Sequence, residues 1–253
     1  MLAGGLLVSL LEYFVRIKLP GHGSDLAARA LWMQKWAGFF RDTFRLRVSY
    51  EGRPPDQGVL ASNHVSYLDI LAYASRQPLV FVSKAEVKYW PLIGWATTAA
   101  GSLYINRQQR SDVKRLGAQF ASIVEARILI AMFPEGTSTG GDEVLPFRSS
   151  LLEPAAAHGW PVTPCWVGYH LDEGSASEEV CYWGDMTFAT HVLNLLTKKQ
   201  VHAIVAYGDP LPPGADRKEM AKRLRAHVSE LARAHGRTLK NQNDLNYAHQ
   251  NRG

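Results

Sequence analysis

Residues 58–74 read GVLASNHVSYLDILAYA. The run GVLAS at 58–62 is apolar, carries a β-branched residue and is bounded by glycine and asparagine, as a short strand is. Asn63 ends that strand, His64 falls in the loop, and Ser66 is placed to cap a helix beginning at Tyr67. The alternative of one continuous helix would turn about 500° over five positions and point His64 away from Asp69. With His64 in the loop, Asp69 lies in the first helical turn and can reach back toward the imidazole.

The same alternation of short strand and periodic helix continues outward. Strands are expected at 46–50, 79–83, 102–106, 128–133, 162–169, 180–183 and 201–208, each apolar and closed by Gly, Pro, Asn or Asp. Between them, Ser111 opens a helix whose apolar stripe is Val113, Leu116, Phe120, Ile123 and Val124. Asp216 and Glu219 resemble a capping box ahead of Met220, Leu224, Val228 and Leu231. Strand and helix in alternation predict an α/β sandwich, with a mixed, largely parallel sheet flanked by helices. The catalytic domain is expected over 46–236, and the polar, aperiodic stretch 237–253 reads as a loosely ordered tail.

Residues 1–45 differ in composition. Over 1–47 seven basic residues (Arg16, Lys18, Arg29, Lys35, Arg41, Arg45, Arg47) face three acids (Glu12, Asp25, Asp42), a surplus of four out of a net charge of +5. The rest of the chain is near neutral, which argues against a nucleic-acid groove and for an N-terminal segment that meets an anionic lipid surface. The first seventeen residues, MLAGGLLVSLLEYFVRI, are apolar but interrupted by Glu12 and Arg16, short of the roughly 20 residues a clean span needs. A second helix, capped by Ser24, sets Leu31, Trp32, Trp36, Phe39, Phe40 and Phe44 among basic residues. That is the composition of an interfacial helix, and the competing reading is a helix packed into the core. A two-helix, monotopic membrane-associating segment is therefore expected. Cys165 and Cys181, without extracellular cues, read as two free thiols in a reducing compartment.

Three stretches raise the chemistry. A neutral His64 could take a proton from a hydroxyl while Asp69 fixes its tautomer; the plainer reading is a capping pair beside a polar-turn histidine. Lys84 follows one strand and Arg107 ends the next, two cations suited to an anionic head group or simply solvated. Glu135, Gly136 and Thr137, in FPEGT at 133–137, follow an apolar run, and the glycine would let backbone amides approach a phosphate.

Taken in order, NHVSYLD at 63–69, the segment KAEVKYWPLIGWATTAAGSLYINR at 84–107, FPEGT and VTPCWVGY at 162–169 resemble the four blocks of the glycerolipid acyltransferase family, which includes 1-acylglycerol-3-phosphate acyltransferases. The resemblance covers roughly residues 46–210. It implies that His64 is the general base, oriented by Asp69, for attack of an acceptor hydroxyl on an acyl thioester. It further implies that Lys84, Arg107, Glu135, Gly136 and Thr137 bind the acceptor, that the segment from Trp90 to Gly101 flanks the acyl chain, and that Pro164 shapes the pocket wall. The donor would be acyl-CoA or acyl carrier protein, with no cofactor and no metal. The leading acceptor is 1-acylglycerol-3-phosphate, used in phospholipid synthesis on the cytoplasmic face of the inner membrane. One departure matters: many phosphate-accepting members carry arginine after EGT, and here Ser138 stands there. Arg148 or Arg107 would then supply the charge, or the acceptor is another lysolipid such as lyso-ornithine lipid.

Rival classes come from the same residues. GTSTG at 136–140 fits a nucleophile elbow with Ser138 as nucleophile, but no helical periodicity follows it. A non-catalytic membrane tether would use the N-terminus and leave the strand-end residues without purpose. Trp160, Trp166 and Trp183 read as core aromatics. His158, His170, His191 and His202 show no metal-ligand spacing and read as satisfied or solvent-facing.

Overall fold

The computed structural model describes residues 2–90, 93–105, 110–212 and 216–250, and only the backbone course of 110–115 and 237–250. Its strands are β1 (Leu46–Glu51), β2 (Val59–Ser62), β3 (Leu79–Lys84), β4 (Leu103–Ile105), β5 (Leu129–Met132), β6 (Val162–His170) and β7 (Val201–Tyr207). They form one sheet in the order β1-β7-β6-β2-β5-β3-β4. Every pairing is parallel except β6 with β7. The inner strands β2, β5 and β6 are buried along their whole length, as strands covered on both faces must be. Edge strand β1 instead alternates between buried and open positions.

Helices cover both faces. On one, α5 (Arg110–Glu125), α6 (Glu153–His158) and α9 (Arg217–Gln250) set Leu116, Phe120, Ile123, Ala155, Met220, Leu224 and Val228 against Val59, Ile130 and Trp166. On the other, α3 (Leu68–Ala74), α8 (Phe188–Thr197) and the end of α2 (Leu26–Thr43) pack on Leu60, Ala131 and Val167. Two short helices, α4 (Ile93–Ala99) and α7 (Ala176–Glu179), lie in the connections. Strand ends β2, β3, β5 and β6 share one edge of the sheet, the place where open α/β sheets gather their ligands.

The N-terminus is a helical hairpin. α1 (Leu2–Tyr13) runs into a wide turn over Phe14–Lys18 and returns as α2. Glu12 takes Lys35 Nζ at 2.7 Å and Trp36 Nε1 at 3.0 Å, and Trp32 Nε1 donates to the Ser9 carbonyl. Gly5 is required where the helices touch, because a Cβ there would run into the Phe39 ring. Among the described residues no helix is long and apolar enough to cross a membrane.

Several expectations are corrected. The apolar residues of α2 divide: Trp32 and Trp36, each 7% exposed, and Phe44 turn inward, the tryptophans packing with Ile17, Ala99 and Ala100, while Leu31 and Phe39 remain exposed and Arg29 binds the carbonyls of Thr98 and Ala99. The longer outward apolar row is Leu7, Val8, Leu11, Phe14, Val15 and Leu19, on α1 and its turn. Asp25, not Ser24, caps α2, its carboxylate accepting the Ala28 amide at 3.0 Å. Ser111 lies inside α5 rather than ahead of it. Residues 180–183 are not a strand, for their backbone groups pair with the His64 and Ser138 loops instead of a neighbouring strand. Trp183 accordingly sits in the open over Gly140 rather than in the core. The backbone of α9 runs on through Gly236 to Gln250, with no Pro to stop it. Both cysteines are buried free thiols.

Candidate active site

The loop after β2 is pinned before it reaches α3. Asn63 exchanges two hydrogen bonds with the Val167 backbone of β6, at 2.9 and 2.8 Å. The His64 ring then lies flat on Phe133, centroids 4.1 Å apart, with Nδ1 2.7 Å from Asp69 Oδ2. Asp69 is fully buried and receives three further donors: the amides of Val65 and Ser66 on Oδ2, and the Tyr169 hydroxyl at 2.7 Å on Oδ1. A carboxylate surrounded by donors accepts from the ring too, so Nδ1 carries the proton and Nε2 keeps its lone pair. The ring is 24% exposed, and with the proton on Nδ1 its Nε2 is the nitrogen that can accept one. Capping and orienting are thus the same interaction, since one carboxylate closes the start of α3 and holds the imidazole.

The loop after β5 is fastened to the first. Glu135 is 3% exposed, and its two carboxylate oxygens accept the His64 amide at 2.9 Å and the Leu145 amide at 2.8 Å. Gly136, at φ 78°, turns the chain immediately afterwards, and Thr137 faces outward. The Thr139 amide returns to the His64 carbonyl. Ser138 donates to the Tyr182 carbonyl at 2.5 Å, and the Tyr182 amide donates to Val65. The hydroxyl is committed to a carbonyl and no helix follows it, so the elbow of a serine hydrolase is not built here.

Burial pushes the Glu135 carboxyl up to about 7; the two amides and the His64 ring pull against that rise, and Asp69 adds to it. Because this value lies above the ordinary one, folding takes up a proton, and the stability contributed is present below about 4.5 and lost as pH rises through about 7. The effect is on the order of 3 kcal/mol. Denaturation midpoints measured from about pH 5 to about pH 8 should fall for the native chain relative to Glu135→Gln. Parallel curves for the two would mean that Glu135 does not titrate there.

Lys84 ends β3 at the same sheet edge, two strands from β2, or about 10 Å in the hydrogen-bonding direction. Arg107 lies outside the described residues. Arg148 stands beside the Glu135 turn, its amide on the Pro134 carbonyl and its Nε 3.4 Å from the Glu135 carbonyl. Of the segment from Trp90 to Gly101, residues 91 and 92 also lie outside the described residues. The remainder packs on the hairpin, with Trp95 edge-on to Tyr13 and Trp32 and facing an apolar recess of about 360 Å³ shared with Leu7, Leu11 and Phe14. Pro164 lies within β6, its carbonyl accepting the Gly208 amide.

Sequence reasoning missed Tyr169, Phe133 and Tyr182. Tyr169 could have been found, because it shares the face of β6 with Cys165 and Val167 and reaches Asp69. Tyr182 could not, since its carbonyl matters through a loop pairing 44 residues from Ser138. His191 is satisfied as expected, between the Tyr67 hydroxyl and the Cys181 carbonyl.

A partly exposed histidine held by a buried carboxylate at a strand end has the geometry that general-base chemistry on a hydroxyl requires. Residues 45–168 match the family model described as Acyltransferase. The chain is 37% identical over 191 residues to the lyso-ornithine lipid O-acyltransferase of Rhodobacter capsulatus, covering 72% of this chain and 69% of that one. It is 29% identical to the 1-acyl-sn-glycerol-3-phosphate acyltransferase of Neisseria gonorrhoeae, over 59% of this chain and 60% of that one. Its fold matches the crystal structure of the 1-acyl-sn-glycerophosphate acyltransferase PlsC from Thermotoga maritima at a TM-score of 0.57 and 19% identity, covering 92% and 96% of the two chains. The chain belongs to the acyltransferase family.

Proposed function

We propose that the chain moves a fatty acyl group from an acyl thioester to the free hydroxyl of a lysolipid, and that the acceptor is of the lyso-ornithine lipid class. The observation that carries the reaction is the partly exposed His64 ring held through Nδ1 by the buried Asp69 carboxylate, an arrangement that supports a proton on Nδ1 and a basic Nε2. Nε2 takes the hydroxyl proton as the oxygen attacks the thioester carbonyl carbon. When the C–S bond breaks, the proton passes from Nε2 to the departing thiolate, leaving an ester and a free thiol. The thioester is already activated, so the donor, acyl-CoA or acyl carrier protein, supplies the chemistry without a cofactor. Positioning then contributes as much as the base. Glu135 and Gly136 would shape the turn that carries Thr137 to the acceptor, and Lys84 and Arg107 would meet its charged end.

Two observations favour the aminolipid. Ser138 stands where the family resemblance puts an arginine in phosphate acceptors, and its hydroxyl is spent on the Tyr182 carbonyl. The Rhodobacter capsulatus relative, at 37% identity, carries the matching name. Arg148 beside the Glu135 turn favours the second reading, 1-acylglycerol-3-phosphate. The deciding experiment is thiol release from a long-chain acyl-CoA, or from acyl carrier protein, by the full chain in detergent with lyso-ornithine lipid, lysophosphatidic acid or no acceptor. Release that requires the aminolipid supports the first reading, and release that requires lysophosphatidic acid selects the second. Silence with both acceptors and both donors removes the proposal.

The outward apolar row on α1 fits a peripheral or monotopic seat on an anionic membrane, on its cytoplasmic face, with the recess at Trp95 as the course of an acyl chain. Deleting residues 1–45 is not a clean test, because α2 is part of the core. Changing Leu7, Leu11 and Leu19 together to serine should release the folded protein from anionic vesicles in a sedimentation assay. Undiminished sedimentation would place the membrane contact elsewhere.

A further inference from the structure

On the face of the sheet opposite Asp69, β6 and β7 bring two histidines side by side. His170 and His202 are direct cross-strand partners, and their rings stack with centroids 4.5 Å apart and planes 15° from parallel. Asp172, two residues beyond the end of β6, brings Oδ1 to 3.4 Å from His202 Nε2. His170 is 8% exposed. Among the described residues, its Nδ1 is enclosed and makes no hydrogen bond, and the enclosed Nε2 of His202 has no hydrogen bond, only the Asp172 carboxylate at 3.4 Å. An enclosed imidazole nitrogen without a partner is costly unless something outside the chain supplies one. These groups border a cleft of about 290 Å³ that also includes Arg47 and Ser49.

We propose that His170, Asp172 and His202 bind a single divalent transition-metal ion of the zinc class. One ligand atom from each residue lies within 4.8 Å of the others. Bond lengths of about 2 Å hold the ligands of a tetrahedral ion some 3 to 4 Å apart, a distance that small ring rotations reach from this starting point. Two imidazoles with one carboxylate suit zinc, cobalt or nickel, whereas magnesium and calcium prefer an all-oxygen set. Three protein ligands leave a fourth position for water, and the exposed Arg47 can turn its charge away into solvent. The ion would clamp the antiparallel joint of the sheet one residue from Tyr169, the hydroxyl donor to Asp69. It takes no part in the acyl transfer proposed above.

The test uses the full chain without a histidine tag, in detergent and stripped with a chelator. Titration with Zn²⁺, and with Co²⁺ followed by its visible absorption, should give one site per chain and a rise in melting temperature. His202→Gln and Asp172→Asn should each weaken binding at least about tenfold and abolish the rise. His170→Ala should do the same, but it alters a buried position, so the other two variants decide; the Asp172 side chain is 56% exposed and its change leaves the fold alone. Lack of saturable one-to-one binding by the native chain, or binding indifferent to both His202→Gln and Asp172→Asn, overturns the proposal.

Discussion

Replacing His64 with alanine is expected to lower acyl transfer by about 10²- to 10⁴-fold, the range that a positioned general base supplies. The loss should fall on kcat, because the ring meets Asp69 and Phe133, whereas the fastening of the loop runs through the His64 amide and carbonyl, which alanine retains. Thermal denaturation should therefore change little. Thiol release per folded molecule is the measurement. A variant that keeps more than about a tenth of the native rate would show that the hydroxyl proton leaves by another route.

Asp69→Asn should be nearly as damaging to the rate and far more damaging to the fold. An asparagine of the same shape presents an NH₂ group where four donors now converge, so at least one amide or hydroxyl loses its acceptor inside a fully buried site. Each such loss costs about 1–3 kcal/mol. The imidazole also loses the group that fixes its tautomer, for which a rate loss of roughly 10²- to 10⁴-fold is expected. Rate per folded molecule and the denaturation midpoint separate the two effects. If stability falls while the folded fraction works at the native rate, Asp69 is a helix cap and nothing more. Tyr169→Phe removes one donor without adding any, and should lower the rate much less.

His64 and Asp69 are legible in the sequence because the strand–loop–helix boundary around them is local: a short apolar run, a polar turn, a helix start. The strands β1 to β7 are legible for the same reason. What local pattern cannot carry is partnership over distance. VCYW at 180–183 has strand-like side chains, yet Ser66, Ser138 and Val65 claim its backbone, so tertiary bonding overrides propensity. Glu135 lies in a visible motif, but that its carboxylate would bridge two loops depends on Leu145 returning beside it. Trp32 and Trp36 of α2 belong to a stretch of interfacial composition, and the docking of α4 turns them inward. His170 and His202 stand 32 positions apart, and only the register of β6 with β7 makes them neighbours.

The single antiparallel joint between β6 and β7 also sets an order of events during synthesis. Beyond that joint, β1 has β7 as its partner in the sheet, with Leu46 beside Val201. A ribosome adding about 5–20 residues each second needs roughly 8 to 31 s to pass from one to the other. Through that interval the apolar hairpin is complete, while the strand it feeds has no neighbour. β1 therefore waits for its neighbour in the sheet until β7, 155 positions further on, has been made.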